Sequence, residues 1–155
     1  MGGYLKEGLD LLEELERCCR ERNLPLTVQR RVVYQSLVAR DDHPTADQLF
    51  ASARESIPGI SRATVYRVLE TLVEMGLARR VVHAGPAARF EGNTRRHHHL
   101  VCSECGSMAD VEDAGLRLRI PAGLSGGDFR ITGYAVNLQG VCASCRARTS
   151  GPTPA

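Results

Sequence analysis

The sequence predicts an α+β chain: a helical first half that ends in a winged helix-turn-helix, then a small α/β half pinned by a metal. Three observations predict it. Apolar residues recur at three- and four-residue steps from Leu5 to Val73, which is helical spacing. Two short extended runs around Gly85-Pro86 follow the last helix and read as a hairpin. Two Cys-x-x-Cys pairs, Cys102/Cys105 and Cys142/Cys145, then enclose 36 residues.

The first helix is marked by Leu5, Leu9, Leu12, Leu15 and Cys19, and "NLPLT" breaks it. Thr27 is placed to cap a second helix carrying Val28, Val32, Val33 and Leu37, which "ARDDHP" ends. Thr45 caps a third, with Ala46, Leu49, Phe50 and Ala53 inward, and "SIPGI" is a tight break. Ser61 caps a fourth, with Val65, Leu69, Leu72 and Val73 as its buried face and Gly76 as its stop. Two helices joined by a short Pro-Gly turn form a helix-turn-helix, and the runs "LARRVVHAG" and "ARFEG" supply the wing. Beyond "GNTRR", the stretches "HHLVC", "SMADV", "DFRITGYAVNLQG" and "VCASC" read as strands and metal knuckles. "DAGLRLRIPAGLSGGD" is too rich in Gly to expect a long helix over 114–128, and the tail reads as disordered. The expected organisation is a winged-helix domain over 1–83, a hinge over 84–96, a metal-binding domain over 97–147 and a disordered tail over 148–155.

Composition excludes several classes. With 43 % hydrophobic and 25 % charged residues, a soluble globular protein is expected. No apolar run approaches the roughly 18 residues that span a bilayer, so no membrane partner is expected. The acidic, amphipathic start lacks the basic and apolar regions of a signal peptide, so a cytoplasmic location is expected. Six cysteines in that reducing compartment favour metal or redox chemistry over a disulfide framework. Net charge is only +2, but Arg17 to Arg80 holds 11 Arg against 7 acids. Such a segment is either a nucleic-acid footprint or an ordinary solvated surface.

Each Cys-x-x-Cys turn aims two thiolates at one point, and two turns complete the tetrahedron that structural Zn²⁺ takes. Cys18 and Cys19 point about 100° apart on a helix, so one is expected in the core and the other at the surface. In an extended "HHH", His97 and His99 share a face and His98 takes the other. Two imidazoles on one face make half of a metal site, and Glu91 and Asp110 are candidates to complete it. His43 is a further candidate, although by spacing alone it reads as a loop histidine. His83 reads as structural.

"HPTADQLF", "SRATVYRVLETLVEMGL", "RFEGNTRRHHHLVCSECG" and "GVCASC", in that order, resemble the ferric uptake regulator family of bacterial metalloregulators. The resemblance runs from about Leu24 to Cys145. It implies a winged-helix DNA-binding domain, a hinge and an α/β dimerisation domain. It implies a repressor that binds a double-stranded DNA operator as a homodimer and is not an enzyme. It assigns Cys102, Cys105, Cys142 and Cys145 to structural Zn²⁺, and His43, Glu91, His97, His99 and Asp110 to a regulatory metal. Ser61 to Met75 matches the recognition helix, with Arg62, Thr64, Tyr66, Arg67, Arg79 and Arg80 as candidate DNA contacts.

The regulatory set holds nitrogens and carboxylates without a thiolate, which suits Fe²⁺ or Mn²⁺ and argues against zinc sensing. Asp110 resembles the peroxide-sensing branch, whereas Glu91 stands where those members usually have Asp, so peroxide and iron response both remain open. Arg96, His98, Arg117 and Tyr134 stand where some members bind an additional metal, and two arginines argue against one here. Three alternatives remain: a zinc enzyme using His97, His99 and Asp110, a thiol redox protein using Cys102 and Cys105, and a zinc or nickel sensor on the same scaffold. No H-E-x-x-H pattern and no βαβ context support the first two.

Overall fold

A computed structural model describes residues 4–81, 87–112, 131 and 134–149, the side chains of 4–10 and 149 excepted. The chain divides into two compact units, Met1–Thr94 and Arg95–Ala155. The division falls inside the expected hinge, of which residues 84–86 lie outside the described residues. The expected turn at Gly85-Pro86, His83, the segment 114–128 and residues 150–155 also lie outside them.

The first unit contains α1 (Tyr4–Glu21), α2 (Val28–Val38), α3 (Ala46–Ser56), α4 (Arg62–Glu74), β1 (Arg79–Val81) and β2 (Arg89–Glu91). Each expected cap is formed. Thr27 accepts from the Arg30 N–H, Thr45 from Gln48 and Ser61 from Thr64. At Thr45 the Gln48 side chain returns the bond and completes a capping box. α4 stops because Gly76 takes φ +76, so that Leu77 N–H reaches Leu72 O at 2.9 Å and Gly76 N–H reaches Val73 O at 3.0 Å. β1 and β2 pair antiparallel, with Arg79 opposite Glu91 and Val81 opposite Arg89.

Leu15, Val33, Tyr34, Leu37, Leu49, Leu69, Leu72 and Phe90 fill the core of this unit. Each such side chain contributes about 1.5–3 kcal/mol through burial. One expectation fails here. Cys18 and Cys19 are both buried, because they sit three and four residues after Leu15 and both flank its stripe. Val28 is 65 % exposed. It is the first residue of α2, whose buried residues are Val33, Tyr34 and Leu37.

The second unit contains β3 (His97–Cys102), β4 (Met108–Glu112), β5 (Asn137–Gly140) and α5 (Ala143–Thr149). Its sheet has the order β4-β3-β5, with β3 antiparallel to β4 and parallel to β5. The run "DFRITGYAVNLQG" is strand only over Asn137–Gly140 among its described residues. "VCASC" differs from expectation too. Cys142 precedes a helix, Cys145 lies in its first turn, and the helix continues through Arg148 and Thr149, into the stretch expected to be tail.

Candidate functional site

The four paired cysteines are gathered by the ends of two neighbouring strands in the second unit. Cys102 ends β3, and the chain turns back through Gly106, whose φ of +70 suits glycine. Cys102 N–H donates to Ser107 O at 2.8 Å, and Gly106 N–H to Cys102 O at 2.9 Å. Cys102 pairs with Gly140 in the β3–β5 register, and Ser103 N–H donates to Gly140 O at 2.8 Å. Cys142, two residues past the end of β5, therefore arrives beside the first turn. The first turn of α5 supplies Cys145, closed by Arg146 N–H on Cys142 O at 2.9 Å.

All four sulfur atoms lie within 4.8 Å of one another, with Cys105 and Cys142 at 3.8 Å. Zinc–sulfur bonds of about 2.3 Å in a tetrahedron put sulfurs about 3.8 Å apart, so the group fits Zn²⁺. The backbone N–H groups of Cys142 and Cys105 hold the Cys102 thiol below its ordinary range. The Ser107 hydroxyl, 3.2 Å away, does the same for Cys105. Burial, reinforced by the neighbouring sulfurs, pushes the Cys145 thiol up. A divalent cation offsets that unequal cost, because all four ligands must ionise to bind it.

The histidines and carboxylates form two separate groups, one in each unit. In the first unit, Phe90 N–H donates to Pro44 O at 2.9 Å, a β-bridge joins Thr45 to Arg89, and Arg89 Nη1 donates to His43 O at 2.9 Å. These bonds tie the loop before α3 to β2, and they bring His43 Nε2 to 3.3 Å from Glu91 Oε2. Both side chains are buried. His43 has φ +53 although a proline follows it, a sparsely populated conformation for such a residue. Gly92 is required next to Glu91, since a Cβ there would lie 2.8 Å from Val38 Cγ1 and 3.3 Å from Val38 Cα.

In the second unit, strand alternation puts His97 and His99 on one face of β3, and the β3–β4 register sets Asp110 opposite His99. His97 Nε2 lies 3.0 Å from His99 Nε2 and 3.5 Å from Asp110 Oδ1, and His99 Nε2 lies 4.0 Å from the same oxygen. His97 Nδ1 lies 2.8 Å from Arg95 O. Donation to that carbonyl fixes the proton on Nδ1 and turns the Nε2 lone pair toward His99 and Asp110. Cis ligands with bonds near 2.1 Å stand about 3.0 Å apart, so this trio also fits a first-row divalent cation. The other face of β3 holds an aromatic stack: His98 lies 6.0 Å from the Tyr134 ring at 17°, and the Arg96 guanidinium lies 4.2 Å over that ring. Three of the four positions considered for an additional metal are joined in this stack, and the fourth, Arg117, lies outside the described residues.

The candidate DNA contacts occupy α4 and β1. Tyr66 is 45 % exposed. The Thr64 hydroxyl is shared with Ser61 at 2.8 Å and lies 3.5 Å from Arg67 Nη2. Arg62 pairs with Asp47 at 2.5 Å, Arg80 with Glu70, and Arg79 donates to Thr94 O. Sequence reasoning missed Asp47, Glu70 and Phe50 as partners on this face, and Arg89 as the prop of His43. Arg89 acts across 46 positions, for which no short motif exists.

The model of the ferric uptake regulator family matches residues 21–139. The chain belongs to this family. It is 29 % identical over 135 residues to the peroxide-responsive repressor PerR of Staphylococcus aureus, covering 87 % of this chain and 91 % of that one. Among solved structures, the Helicobacter pylori ferric uptake regulator matches with TM-score 0.72 at 18 % identity, covering 90 % of this chain and 93 % of that one, and supports the fold. The Campylobacter jejuni peroxide stress regulator matches with TM-score 0.61 at 26 % identity, covering 87 % and 98 %. A zinc-bound manganese uptake regulator matches with TM-score 0.61 at 27 % identity, covering 83 % and 98 %. Family membership makes the chain a metal-dependent transcriptional regulator of winged-helix and α/β build, and not an enzyme. Family members bind DNA operators and are dimeric. No described helix is long and apolar enough to cross a membrane.

Proposed function

We propose that the chain is a homodimeric repressor whose operator binding is switched by Fe²⁺ or Mn²⁺ held jointly by His43, Glu91, His97, His99 and Asp110. Cys102, Cys105, Cys142 and Cys145 hold a permanent zinc. The observation that carries this reading is the pair of half-sites. Each presents ligand atoms at coordination spacing, and they belong to units that divide at Thr94. A cation bound by both halves selects the inter-unit orientations that allow it. The DNA-competent fraction rises with metal, and apparent affinity rises with that fraction. Leu100, Leu138 and Val141 are exposed apolar residues on or beside the second unit's sheet, and the described β5 is an edge strand, which supports that unit as the dimerising one.

The test is retention of fragmented host genomic DNA with Mn²⁺, and after chelation, at fixed salt. Salt is fixed because phosphate contacts dominate non-specific affinity. Metal-dependent enrichment of a few palindromic sites is expected. Retention that ignores metal would sink the switch.

Peroxide is the signal we favour, on the likeness to peroxide-responsive relatives and on Asp110 beside His97 and His99. With Fe²⁺ loaded, one peroxide would be reduced to one water while one imidazole, of His43 or His97, gains one oxygen atom. Mass spectrometry after a brief peroxide pulse should find that gain on a peptide holding either residue. Unmodified peptides with retained DNA binding would point to iron sensing instead.

A further inference from the structure

The proposed DNA face carries its own carboxylates. Arg62 opens α4, and its Nη1 lies 2.5 Å from Asp47 Oδ1 on α3. Its guanidinium also lies 5.1 Å over the Phe50 ring. Arg80 on β1 is paired with Glu70 on α4. Arg67, between them on the helix, meets only the Thr64 hydroxyl among the described residues. All four side chains of the two ion pairs are at least 41 % exposed, so the pairs lie open to a polyanion.

We infer that Asp47 and Glu70 stand in for two DNA phosphates and hold down the affinity of this face for any duplex. The inference rests on the reading that α4 and β1 meet DNA. A carboxylate and a phosphodiester offer a guanidinium the same kind of anionic oxygen pair. Arg62 and Arg80 must therefore release an internal acid before taking a phosphate, and the released acid then faces the DNA backbone. Phe50 keeps Arg62 in place during the exchange, since its contact does not depend on Asp47. The penalty is blind to sequence because phosphate contacts are. It keeps a weakly binding form of the regulator off bulk DNA, while Arg67 and Tyr66 have no carboxylate to displace.

The experiment uses the full zinc-loaded chain with excess Mn²⁺ and a labelled random-sequence duplex at fixed salt, read by fluorescence anisotropy. Asp47→Asn and Glu70→Gln keep shape and remove charge. Each should tighten binding about 2- to 5-fold, the range that an exposed ion pair supports. Arg62→Ala should weaken binding and lower the salt slope by about one, and in its background Asp47→Asn should tighten binding clearly less than it does in the wild type, since only the repulsion of the bared acid is left to remove. Unchanged or weaker binding by the amide variants, at unaltered melting temperature, would overturn the inference and make the acids props for the guanidiniums. Tightening by Asp47→Asn that is undiminished without Arg62 would also overturn it. If the wild type fails to bind and Arg67→Ala changes nothing, the DNA-face reading itself falls, and this inference with it.

Discussion

The two groups of this chain proposed to hold metal are built in opposite ways. The four cysteines come from one unit, lie at the end of β3, in the turn after it and at the start of α5, and are held there by short backbone hydrogen bonds. The histidine and carboxylate set is divided, with His43 and Glu91 in the first unit and His97, His99 and Asp110 in the second. A site within one unit staples it, so its metal contributes to folding. A site shared between units can report metal as orientation, because losing the cation leaves both units folded. Soft thiolates suit zinc, and nitrogen with carboxylate suits Fe²⁺ or Mn²⁺, as the proposed roles require.

The sharpest way to break this comparison is Cys142→Ser. Zinc content should fall to near zero and the second unit should lose its cooperative melting, while the helical circular dichroism of the first unit persists. Intact melting without zinc would remove the staple. His43→Ala is expected to lower Mn²⁺-dependent DNA affinity at least about tenfold through loss of one metal ligand, with bound zinc unchanged by elemental analysis. Leu69→Ala probes the first unit alone. It should cost about 2–5 kcal/mol in urea unfolding and leave zinc in place.

Gly92→Ala forces Val38 or the strand to move, and the strand bears Glu91. Destabilisation of about 1–3 kcal/mol by overpacking is expected, together with weaker Mn²⁺ binding. The smallest effect is alkaline. Burial pushes the Tyr34 hydroxyl up to about 12. The folded state thus holds that proton more tightly than the unfolded chain, whose tyrosines titrate near pH 10. Stability is unaffected below pH 10 and falls by about 2 kcal/mol as pH rises toward 12. Tyr34→Phe should flatten that fall in urea titrations at increasing pH.

The elements of the first unit were legible because their signals are local. Thr27, Thr45 and Ser61 each lie within four residues of the atoms they cap, and Gly76 announces its own backbone. The cysteines were legible because Cys-x-x-Cys is a geometric statement as well as a motif, and the alternation of His97 and His99 followed from strand periodicity. His43 was not legible from spacing. Its proximity to Glu91 arises from Pro44, Thr45 and Arg89, which are joined by long-range bonds, and only the family resemblance pointed to it. The helix carrying Cys145 was missed because "ASCRART" is too short to show a period. The burial of both Cys18 and Cys19 was not legible because a separation of about 100° suggests one buried and one exposed thiol, although an apolar face about 100° wide accommodates both.

The most direct measurement is a calorimetric titration of the zinc-loaded chain with Mn²⁺, repeated on His43→Ala and His99→Ala. A shared site predicts one Mn²⁺ per chain and a similar loss of affinity in both variants, although the residues belong to different units. Unchanged Mn²⁺ affinity in His43→Ala, with loss only in His99→Ala, would contradict the joint site and leave the second unit's trio as a site of its own.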